Sequence, residues 1–203
     1  MLGIPDCRVL WSERLKAAIV QVKAWRIMTF KLLQWSEQHR KPFVNMQSDP
    51  DVMADLGGPS RRADSNLKFD RYRDAWKSEG ISRWAVVDKA DKLLGYAGIM
   101  KAGSVKHPLG SHYEIGWRFR REVWGLGFAT RSARQALEHA WEVLTVNEIF
   151  SYTAADNYRS QAVMDRLGLT RDSARDFTAR YPEGNWSGLV WTAERPLSRS
   201  TKT

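Results

Sequence analysis

Two glycines separated by one residue lie between a strand-like segment and the start of a long amphipathic helix. The sequence around them is Trp124-Gly125-Leu126-Gly127-Phe128-Ala129-Thr130. Glycine has no side chain to shield the main chain, so several N–H groups of the first helical turn stay accessible. The helix dipole adds about half a positive charge at that end. The segment therefore predicts a phosphate-binding turn between a strand and a helix.

Length and composition indicate a soluble globular chain. Its 203 residues suffice for one domain with a sizeable core, and 43% hydrophobic and 27% charged residues are ordinary values. The net charge of +9 favours anionic partners such as a polyphosphate cofactor or nucleic acid, although solubility explains it equally well. Because no window combines dense Lys and Arg with interleaved aromatics, the sequence does not favour a nucleic-acid partner.

Cysteine and histidine usage gives no sign of a metal or disulfide framework. The single cysteine, Cys7, excludes an internal disulfide and a cysteine-rich zinc site. The four histidines have no metal-ligand spacing, so we expect no metal. No run approaches the ~18 apolar residues of a membrane span. Arg14 and Lys16 interrupt the apolar N-terminal stretch, and the sequence therefore predicts a cytoplasmic protein without a membrane partner.

Hydrophobic periodicity predicts a helical N-terminal third, then strands, then two strand–helix units. Helices are predicted at residues 12–25, 36–47, 51–56, 65–77, 127–142 and 157–167. Strands are predicted at residues 27–35, 83–88, 93–100, 112–120, 148–153, 169–178 and 186–194. This order predicts one α/β domain with a mixed sheet over residues 27–195. Residues 1–26 are expected to form an N-terminal extension with helical periodicity, and residues 196–203 a disordered polar tail.

Two familiar phosphate-binding loops fit this turn poorly. A P-loop places Lys and then Ser or Thr after its second glycine, whereas Phe128 and Ala129 follow Gly127. A dinucleotide-binding loop has a third glycine where this chain has Thr130. It also needs an acidic residue at the end of the next strand, whereas Glu148 begins that strand.

The turn resembles the acyl-CoA loop of the GNAT superfamily of N-acetyltransferases, whose pattern is Arg/Gln-x-x-Gly-x-Gly/Ala. Trp124 in the first position is typical of the branch that includes ribosomal-protein (Rim-type) N-terminal acetyltransferases. Other segments that resemble this branch follow in order: Met46–Met53, Glu114–Trp117, Asn157–Ser160 and Leu167–Leu169. The similarity covers residues 27–195.

The resemblance implies a GNAT fold of the α+β kind and acetyl-CoA as the acyl donor. The sheet would be mixed and mostly antiparallel, flanked by helices and splayed open at the acyl-CoA cleft. The pyrophosphate is expected at the N–H groups of residues 126–130, and the pantetheine arm along the edge of strand 113–119. Asn157 would grip a pantetheine amide, although helix capping explains this residue equally well. The expected donor-binding residues are Trp117, Phe119, Trp124, Gly125, Leu126, Gly127, Phe128, Ala129, Thr130, Asn157 and Ser160.

In the implied reaction a neutral amine attacks the thioester, so the site must accept a proton, stabilise an oxyanion and receive a thiolate. Glu114 is the candidate base, and a salt-bridged strand residue is the alternative. Ser160 is the candidate partner of the thiolate, as assigned in the Rim-type branch, or an ordinary first-turn residue. Many GNAT enzymes use a tyrosine where this chain has Met164. Arg131 replaces a common glutamate and either strengthens cofactor binding or reflects solvent exposure.

The amine acceptor is less defined. In the family, the N-terminal helices and the last hairpin enclose the acceptor cleft. Asp49, Asp51 and Asp55 are predicted either to attract an amine there or to act as helix N-terminal acids. Asp176 and Glu183 are secondary acidic candidates in a region where the branch often carries His-Pro.

The predicted function is acetyl-CoA-dependent N-acetylation of a protein N-terminal α-amine or a small-molecule amine. A lysine-type amine with a pKa near ~10.4 is almost fully charged at pH ~7, whereas an α-amine near ~8 is about a tenth neutral. An α-amine therefore demands less of the base. The alternative is a catalytically inactive acyl-CoA-binding or regulatory module. A homodimer is compatible with either function.

Overall fold

The computed structural model describes residues 29–181 and 184–196. The strands are β1 (Lys31–Leu33), β2 (Arg83–Val87), β3 (Leu93–Ala102), β4 (His112–Phe119), β5 (Glu148–Thr153), β6 (Thr170–Arg171), β7 (Phe177–Tyr181) and β8 (Gly184–Glu194). The α-helices are α1 (Arg40–Gln47), α2 (Pro50–Met53), α3 (Arg62–Ser78), α4 (Phe128–Val143) and α5 (Tyr158–Leu167). Short 3-10 helices occupy Glu37–His39, Ala54–Leu56, Arg121–Val123 and Ser173–Arg175.

Most predicted elements are confirmed, with two errors. In the described part of the strand predicted at residues 27–35, the strand is limited to β1, Lys31–Leu33. The strand predicted at residues 169–178 is two strands, β6 and β7, separated by the 3-10 helix Ser173–Arg175. The chain turns there because the Asp176 carboxylate accepts from the N–H of Val190 at 2.9 Å, which ties the end of this turn to β8. The helix predicted at 12–25 lies outside the described residues, as do residues 197–203 of the predicted tail.

The sheet is open and mixed. Its strands follow the order β1-β2-β3-β4-β5-β8-β6, and β7 also pairs with β8. β4 and β5 are parallel, and the other strand pairs of the described residues are antiparallel. The predicted mixed, mostly antiparallel sheet is therefore confirmed.

β4 and β5 are hydrogen-bonded neighbours over a very short length. Their pairing consists of one register pair, Glu114 with Phe150. By contrast, β4 pairs with β3 along its whole length. Beyond the Glu114 pair the two strands diverge, so a cleft opens between them toward the end of β4. The splay that the resemblance implied is present.

Hydrophobic side chains cover both faces of the sheet. Buried residues of one face pack with α4 and α5: Ile115, Phe119, Phe128, Ala133, Ala136, Ala140, Ile149, Val163, Met164 and Leu167. Buried residues of the other face pack with α1 and α3: Trp35, Phe43, Phe69, Tyr72, Ala85, Val87 and Tyr96. Because successive strand residues point to opposite faces, Ile115 and Phe119 of β4 face α4. Glu114 and Arg118 face the α1–α3 side.

Aromatic rings dominate the core on the α1–α3 side. Phe43 is fully buried, and its ring lies 5.3 Å from Trp35, 5.7 Å from Phe69 and 6.0 Å from Tyr96. Such aromatic contacts stabilise beyond the burial of their area. None of the helices in residues 29–181 and 184–196 combines the length and apolar character that a bilayer span requires.

We expect Phe43→Ala to lower the free energy of unfolding by about 3–5 kcal/mol, because it leaves a cavity inside the aromatic core. Leu67→Ala is the matched control. Leu67 lies on α3 with 70% of its surface exposed, so its truncation should change stability by less than about 0.5 kcal/mol. Urea unfolding followed by circular dichroism measures both variants, and equal losses would contradict the assignment of this core.

Candidate active site

The start of α4 forms an open glycine turn. Gly127 is its N-cap with φ 78°, and Gly125 has φ 75°, both in the left-handed region that favours glycine. No side chain caps the helix, and its first intrahelical bond runs from Arg131 N to Gly127 O at 3.1 Å. The N–H groups of residues 128–130 therefore have no helical carbonyl to bind. A Cβ on Gly125 would meet open space, so an anion can approach these donors.

Aromatic side chains hold this turn against the end of β4. The indole Nε1 of Trp124 donates to the carbonyl of Phe119 at 2.8 Å. The rings of Phe119 and Phe128 stack with centroids 6.5 Å apart. Phe128 is buried, so its side chain belongs to the core beneath the turn. Trp117 and Leu126 pack against the same core. The predicted donor-binding residues of β4 and the turn are thus brought together.

Two arginines flank the turn. The Arg159 guanidinium lies over the Trp124 ring at 4.4 Å, which joins the first turn of α5 to the loop. The Arg131 guanidinium lies 5.0 Å from the ring of Phe128 and 5.1 Å from that of Phe30. Arg131 is half-buried, so solvent exposure alone does not account for it. Both cations add positive potential beside the uncapped helix end. Arg159 was not predicted, although it lies within the recognised Asn157–Ser160 motif.

The edge of β4 offers main-chain groups to the cleft. Ser151 on β5 donates from Oγ to the carbonyl of Ile115 at 3.0 Å. The main-chain carbonyl of Ile115 therefore points toward β5. Backbone groups alternate along a strand, so the N–H and C=O of Trp117 point the same way, into the widening cleft. An amide-rich chain can pair with this edge as an added strand does.

Glu114 is ion-paired. Its Oε2 lies 2.9 Å from Nη2 of Arg83, a β2 residue whose side chain is 5% exposed. Arg83 Nη1 also donates to the carbonyls of Glu114, at 2.9 Å, and of Gly98. A Cβ on Gly116 would lie 2.9 Å from Arg83 Nη2, so glycine makes room for the guanidinium. Glu114 therefore forms the salt bridge that was the alternative to a catalytic role. It also lies at the start of the cleft, where a base would be needed.

Sequence reasoning missed Arg83. The available signal was a charged residue at the start of an otherwise apolar strand, Arg-Trp-Ala-Val-Val. Burial alone would lower the pKa of Arg83, but the negative charge of Glu114, together with smaller contributions from Tyr72, Tyr96 and Tyr152, outweighs it and the pKa is raised. Arg83 is consequently a permanent cation at the point where β4 and β5 separate.

The first turn of α5 lies on the β5 side of the cleft. Asn157 is the N-cap, and its Oδ1 accepts from the Ser160 N–H at 3.1 Å. Its Nδ2 donates to Oδ2 of Asp55 at 2.9 Å. Ser160 is half-buried in this first turn, close to the positive end of the helix dipole. Met164 is 1% exposed and belongs to the core.

The predicted amine-attracting carboxylates all have partners. Asp49 caps α2, because its Oδ1 accepts from the N–H groups of Asp51 and Val52. Asp51 pairs with Arg121. Asp176, a secondary candidate, pairs with Arg171 at 2.5 Å, and this hydrogen bond lowers its pKa. Glu183 lies outside the described residues.

Asp55 is the third of these carboxylates and is also paired. Its Oδ1 lies 2.7 Å from Nη1 of Arg118. The three N-terminal carboxylates thus act in helix capping and ion pairs, which gives their predicted attraction of an amine no support.

A cationic environment surrounds Tyr96 on the α1–α3 side of β3. Burial alone would raise the pKa of Tyr96, but Lys68 and Arg118, a hydrogen bond with Tyr72 and the Arg83 guanidinium outweigh it and lower the pKa to about 8. Burial raises the pKa of Tyr72. Lys68 donates to Oε1 of Gln47 at 3.0 Å.

Comparison with known proteins identifies the family. Residues 30–170 match the family model described as "Acetyltransferase (GNAT) domain". The chain belongs to the GNAT acetyltransferase family, and acetyl-CoA is the acyl-donor substrate of these N-acetyltransferases. Among the described residues, no group of three or more His, Cys, Asp or Glu side chains could hold a metal ion.

Two relatives have informative names. FsC-acetyl coenzyme A-N(2)-transacetylase of Aspergillus fumigatus is 25% identical over 146 residues, which are 69% of this chain and 62% of that protein. The putative ribosomal N-acetyltransferase YdaF of Bacillus subtilis is 28% identical over 133 residues, 64% of this chain and 72% of the relative. The second name agrees with the branch that the sequence motifs indicated.

Solved structures confirm the fold. An acetyltransferase from Agrobacterium tumefaciens superposes with a TM-score of 0.67 and 22% identity, covering 81% of this chain and 90% of that one. Spermidine N-acetyltransferase from Vibrio cholerae, in complex with CoA and spermine, superposes with a TM-score of 0.64 and 16% identity. The match covers 82% of this chain and 95% of that one. At this identity the likeness concerns the fold alone.

We expect Gly127→Ala to weaken CoA binding about tenfold or more, because it strains the turn and places a methyl group beside the N–H donors. Gly168→Ala is the matched control. Gly168 has φ 81° at the end of α5, with open space around its Cβ, so it incurs the same backbone strain away from the turn. Isothermal titration calorimetry with CoA measures both, and equal affinities would contradict the assignment of the anion site.

We expect Tyr96 to contribute an increase in the free energy of unfolding as the pH is raised from about 8 to about 10, because its pKa is lowered to about 8 in the folded protein. In this window the folded protein binds fewer protons than the unfolded chain, so a higher pH favours folding. The rise should be absent in Tyr96→Phe. Urea unfolding at several pH values measures it, and parallel profiles for the two proteins would refute the effect.

Proposed function

We propose that this protein transfers the acetyl group of acetyl-CoA to a primary amine, and that a protein N-terminal α-amine is the acceptor its charges favour. The observation that carries the proposal is the uncapped glycine turn at α4 directly beside the cleft between β4 and β5. The turn supplies donors for a pyrophosphate, and the open edge of β4 supplies them for the pantetheine amides.

The length of β4 fits this division of roles. Glu114 stands where the cleft begins, and Phe119 contacts the glycine turn through Trp124. At ~3.3 Å per residue, the two positions are about 16 Å apart along the strand. An extended donor bound with its phosphates at the turn would run along β4 and bring its thioester toward Glu114.

In the proposed reaction the neutral amine nitrogen attacks the thioester carbonyl carbon, a C–N bond forms and the C–S bond breaks. The ammonium loses its proton to Glu114, directly or through a water molecule. Oε2 of Glu114 accepts from Arg83, so Oε1 is the oxygen that would face the amine or the water. Arg83 fixes the carboxylate at the entrance of the cleft.

Ser160 is the proposed partner of the departing thiolate. Its hydroxyl lies in the first turn of α5, where the helix dipole favours negative charge. Met164, in the place where many family members carry a tyrosine, is buried in the core and has no proton to donate. The Ser160 hydroxyl would stabilise the thiolate by a hydrogen bond until it takes up a proton.

Two charge arguments favour an α-amine acceptor. A net charge of +9 opposes a polycationic amine, and the three N-terminal carboxylates at residues 49, 51 and 55 already have partners. An α-amine with a pKa near ~8 is about a tenth neutral at pH ~7, so an ion-paired carboxylate acting through water suffices as the base. A small-molecule amine is the second class of acceptor.

An acceptor panel tests this function. CoA thiol release is measured with acetyl-CoA and one of three substrates: a peptide with a free N-terminus and no lysine, an N-terminally blocked peptide with lysine, and spermidine. We expect turnover with the first substrate. Turnover with spermidine alone would assign a small-molecule acceptor. CoA binding without turnover on any of the three amines would favour the binding-only alternative.

We expect Glu114→Gln to lower kcat by about 10²–10⁴-fold, because the base is lost while Gln can still accept from Arg83. The loss should shrink as the pH rises toward the pKa of the amine, since the amine then loses its proton unaided. Glu122→Gln is the control. Glu122 is an exposed carboxylate that pairs with Arg120, and its change should leave kcat unaltered. A pH-independent loss in Glu114→Gln would argue for a structural role alone.

We expect Ser160→Ala to lower kcat about tenfold, the effect of one lost hydrogen bond to the leaving group. The KM for acetyl-CoA should change little, because the hydroxyl acts on charge that develops during the reaction. Steady-state kinetics at saturating amine separates the two constants. An unchanged kcat would remove Ser160 from the proposed chemistry.

A further inference from the structure

We propose that Asp55 is a positioning residue for acyl-CoA binding: it orients the Asn157 carboxamide and so joins the α2 side of the cleft to the donor site. This inference rests on the proposed function, in which Asn157 grips an amide of the pantetheine arm. The carboxylate stands between β4 and the start of α5, two elements on opposite sides of the cleft. It belongs to neither of them.

Asp55 contacts both sides of the cleft at once. Its carboxylate pairs with Arg118 of β4 through two hydrogen bonds, Nη1 to Oδ1 at 2.7 Å and Nη2 to Oδ2 at 3.1 Å. Oδ2 also accepts from Nδ2 of Asn157 at 2.9 Å. Arg118 donates in addition to the carbonyl of Val52 in α2. Arg118, which is itself held by α2, therefore fixes the position of the Asp55 carboxylate independently of Asn157.

Arg118 makes this support rigid. Its side chain is 12% exposed. Burial alone would lower the pKa of Arg118, but Tyr96 and Asp55 outweigh it and raise that pKa. A buried guanidinium held on both carboxylate oxygens has little freedom to turn. Asp55 accordingly presents a fixed oxygen to Asn157.

The hydrogen bonds of Asn157 decide the direction of its amide group. Oδ1 accepts from the Ser160 N–H, and one hydrogen of Nδ2 goes to Asp55. An amide nitrogen carries two hydrogens, so the second remains available to donate to a carbonyl in the cleft. Without the acceptor at Asp55, the cap at Ser160 would be the restraint left on this side chain. Its donor would then be less well aimed at the pantetheine arm.

The Asp55→Asn variant exploits this geometry. Asparagine offers one oxygen in place of two. If that oxygen stays with Arg118, the new amide nitrogen faces the nitrogen of Asn157, where two donors oppose each other. The Asn157 side chain must then turn or withdraw. We expect CoA to bind about three- to tenfold more weakly, the loss expected of one hydrogen bond.

A double-mutant cycle tests whether Asp55 acts through Asn157. Asn157→Ser keeps a side-chain oxygen that can cap α5 but removes the amide. Calorimetric Kd values for CoA are measured for the wild type, Asp55→Asn, Asn157→Ser and the double variant. We expect Asp55→Asn to have less than about a twofold effect in the Asn157→Ser background. Additive effects of the two substitutions would overturn the inference.

A charge-matched control separates this role from general ion-pair loss. Asp70→Asn neutralises a carboxylate that pairs with Arg40 at 2.6 Å on the α1–α3 layer, and it should leave the Kd for CoA unchanged. In Asp55→Asn the KM for acetyl-CoA should rise together with the Kd, while kcat at saturating donor stays near the wild-type value. A fall in kcat with unchanged Kd would also overturn the inference.

Asp55→Asn leaves the buried Arg118 cation without its counter-charge, so a second variant guards against failure to fold. Asp55→Asn combined with Arg118→Gln removes both charges of the pair and should show the same weaker CoA binding. If Asn157→Ser binds CoA like the wild type, the proposed role of Asn157 fails and the inference fails with it. If Asn157→Ser binds weakly and both Asp55 variants bind normally, the inference alone is overturned.

Discussion

The parallel contact between β4 and β5 is limited to one register pair, and the whole candidate site depends on that limit. Neighbouring strands satisfy each other's polar groups, so two strands that part must find other partners for them. The Ser151 hydroxyl donates to the carbonyl of Ile115, and the Trp124 indole donates to the carbonyl of Phe119. Between these two contacts the edge at Trp117 faces the cleft. That edge is where an amide-rich ligand can take the place of a strand.

Buried charge is concentrated around this opening on the α1–α3 side of the sheet. Arg83 lies at the start of the cleft and Arg118 further along it, and each is matched by one carboxylate, Glu114 or Asp55. Breaking such a pair leaves an uncompensated buried charge, so each carboxylate is held firmly. The two acids that line the cleft are therefore positioned by cations which the fold buries. The lowered pKa of Tyr96 reflects the same concentration of positive charge.

Much of the architecture was predictable from the sequence. Periodicity located α3, α4 and α5 and most strands, because each of these elements buries a regular face. The strand predicted at 169–178 failed because Asp176 binds the main chain of β8, a contact between residues 14 positions apart in sequence. The glycine turn was predictable because its properties are local: two residues free to adopt positive φ and a helix without a cap.

The sequence by itself determined the α/β order, the uncapped glycine turn at Gly125 and Gly127, and the cap at Asn157, since each depends on residues near one another in the chain. The tertiary structure decided which partners the charged residues have. Arg83 and Glu114 are 31 positions apart, and Asp55 and Asn157 are 102. Periodicity carries no information about such pairs, because they arise when separate strands and helices meet. From its position in the sequence, Asp55 was predicted to attract the substrate amine or to act as a helix N-terminal acid. In the folded protein it instead binds Arg118 and Asn157.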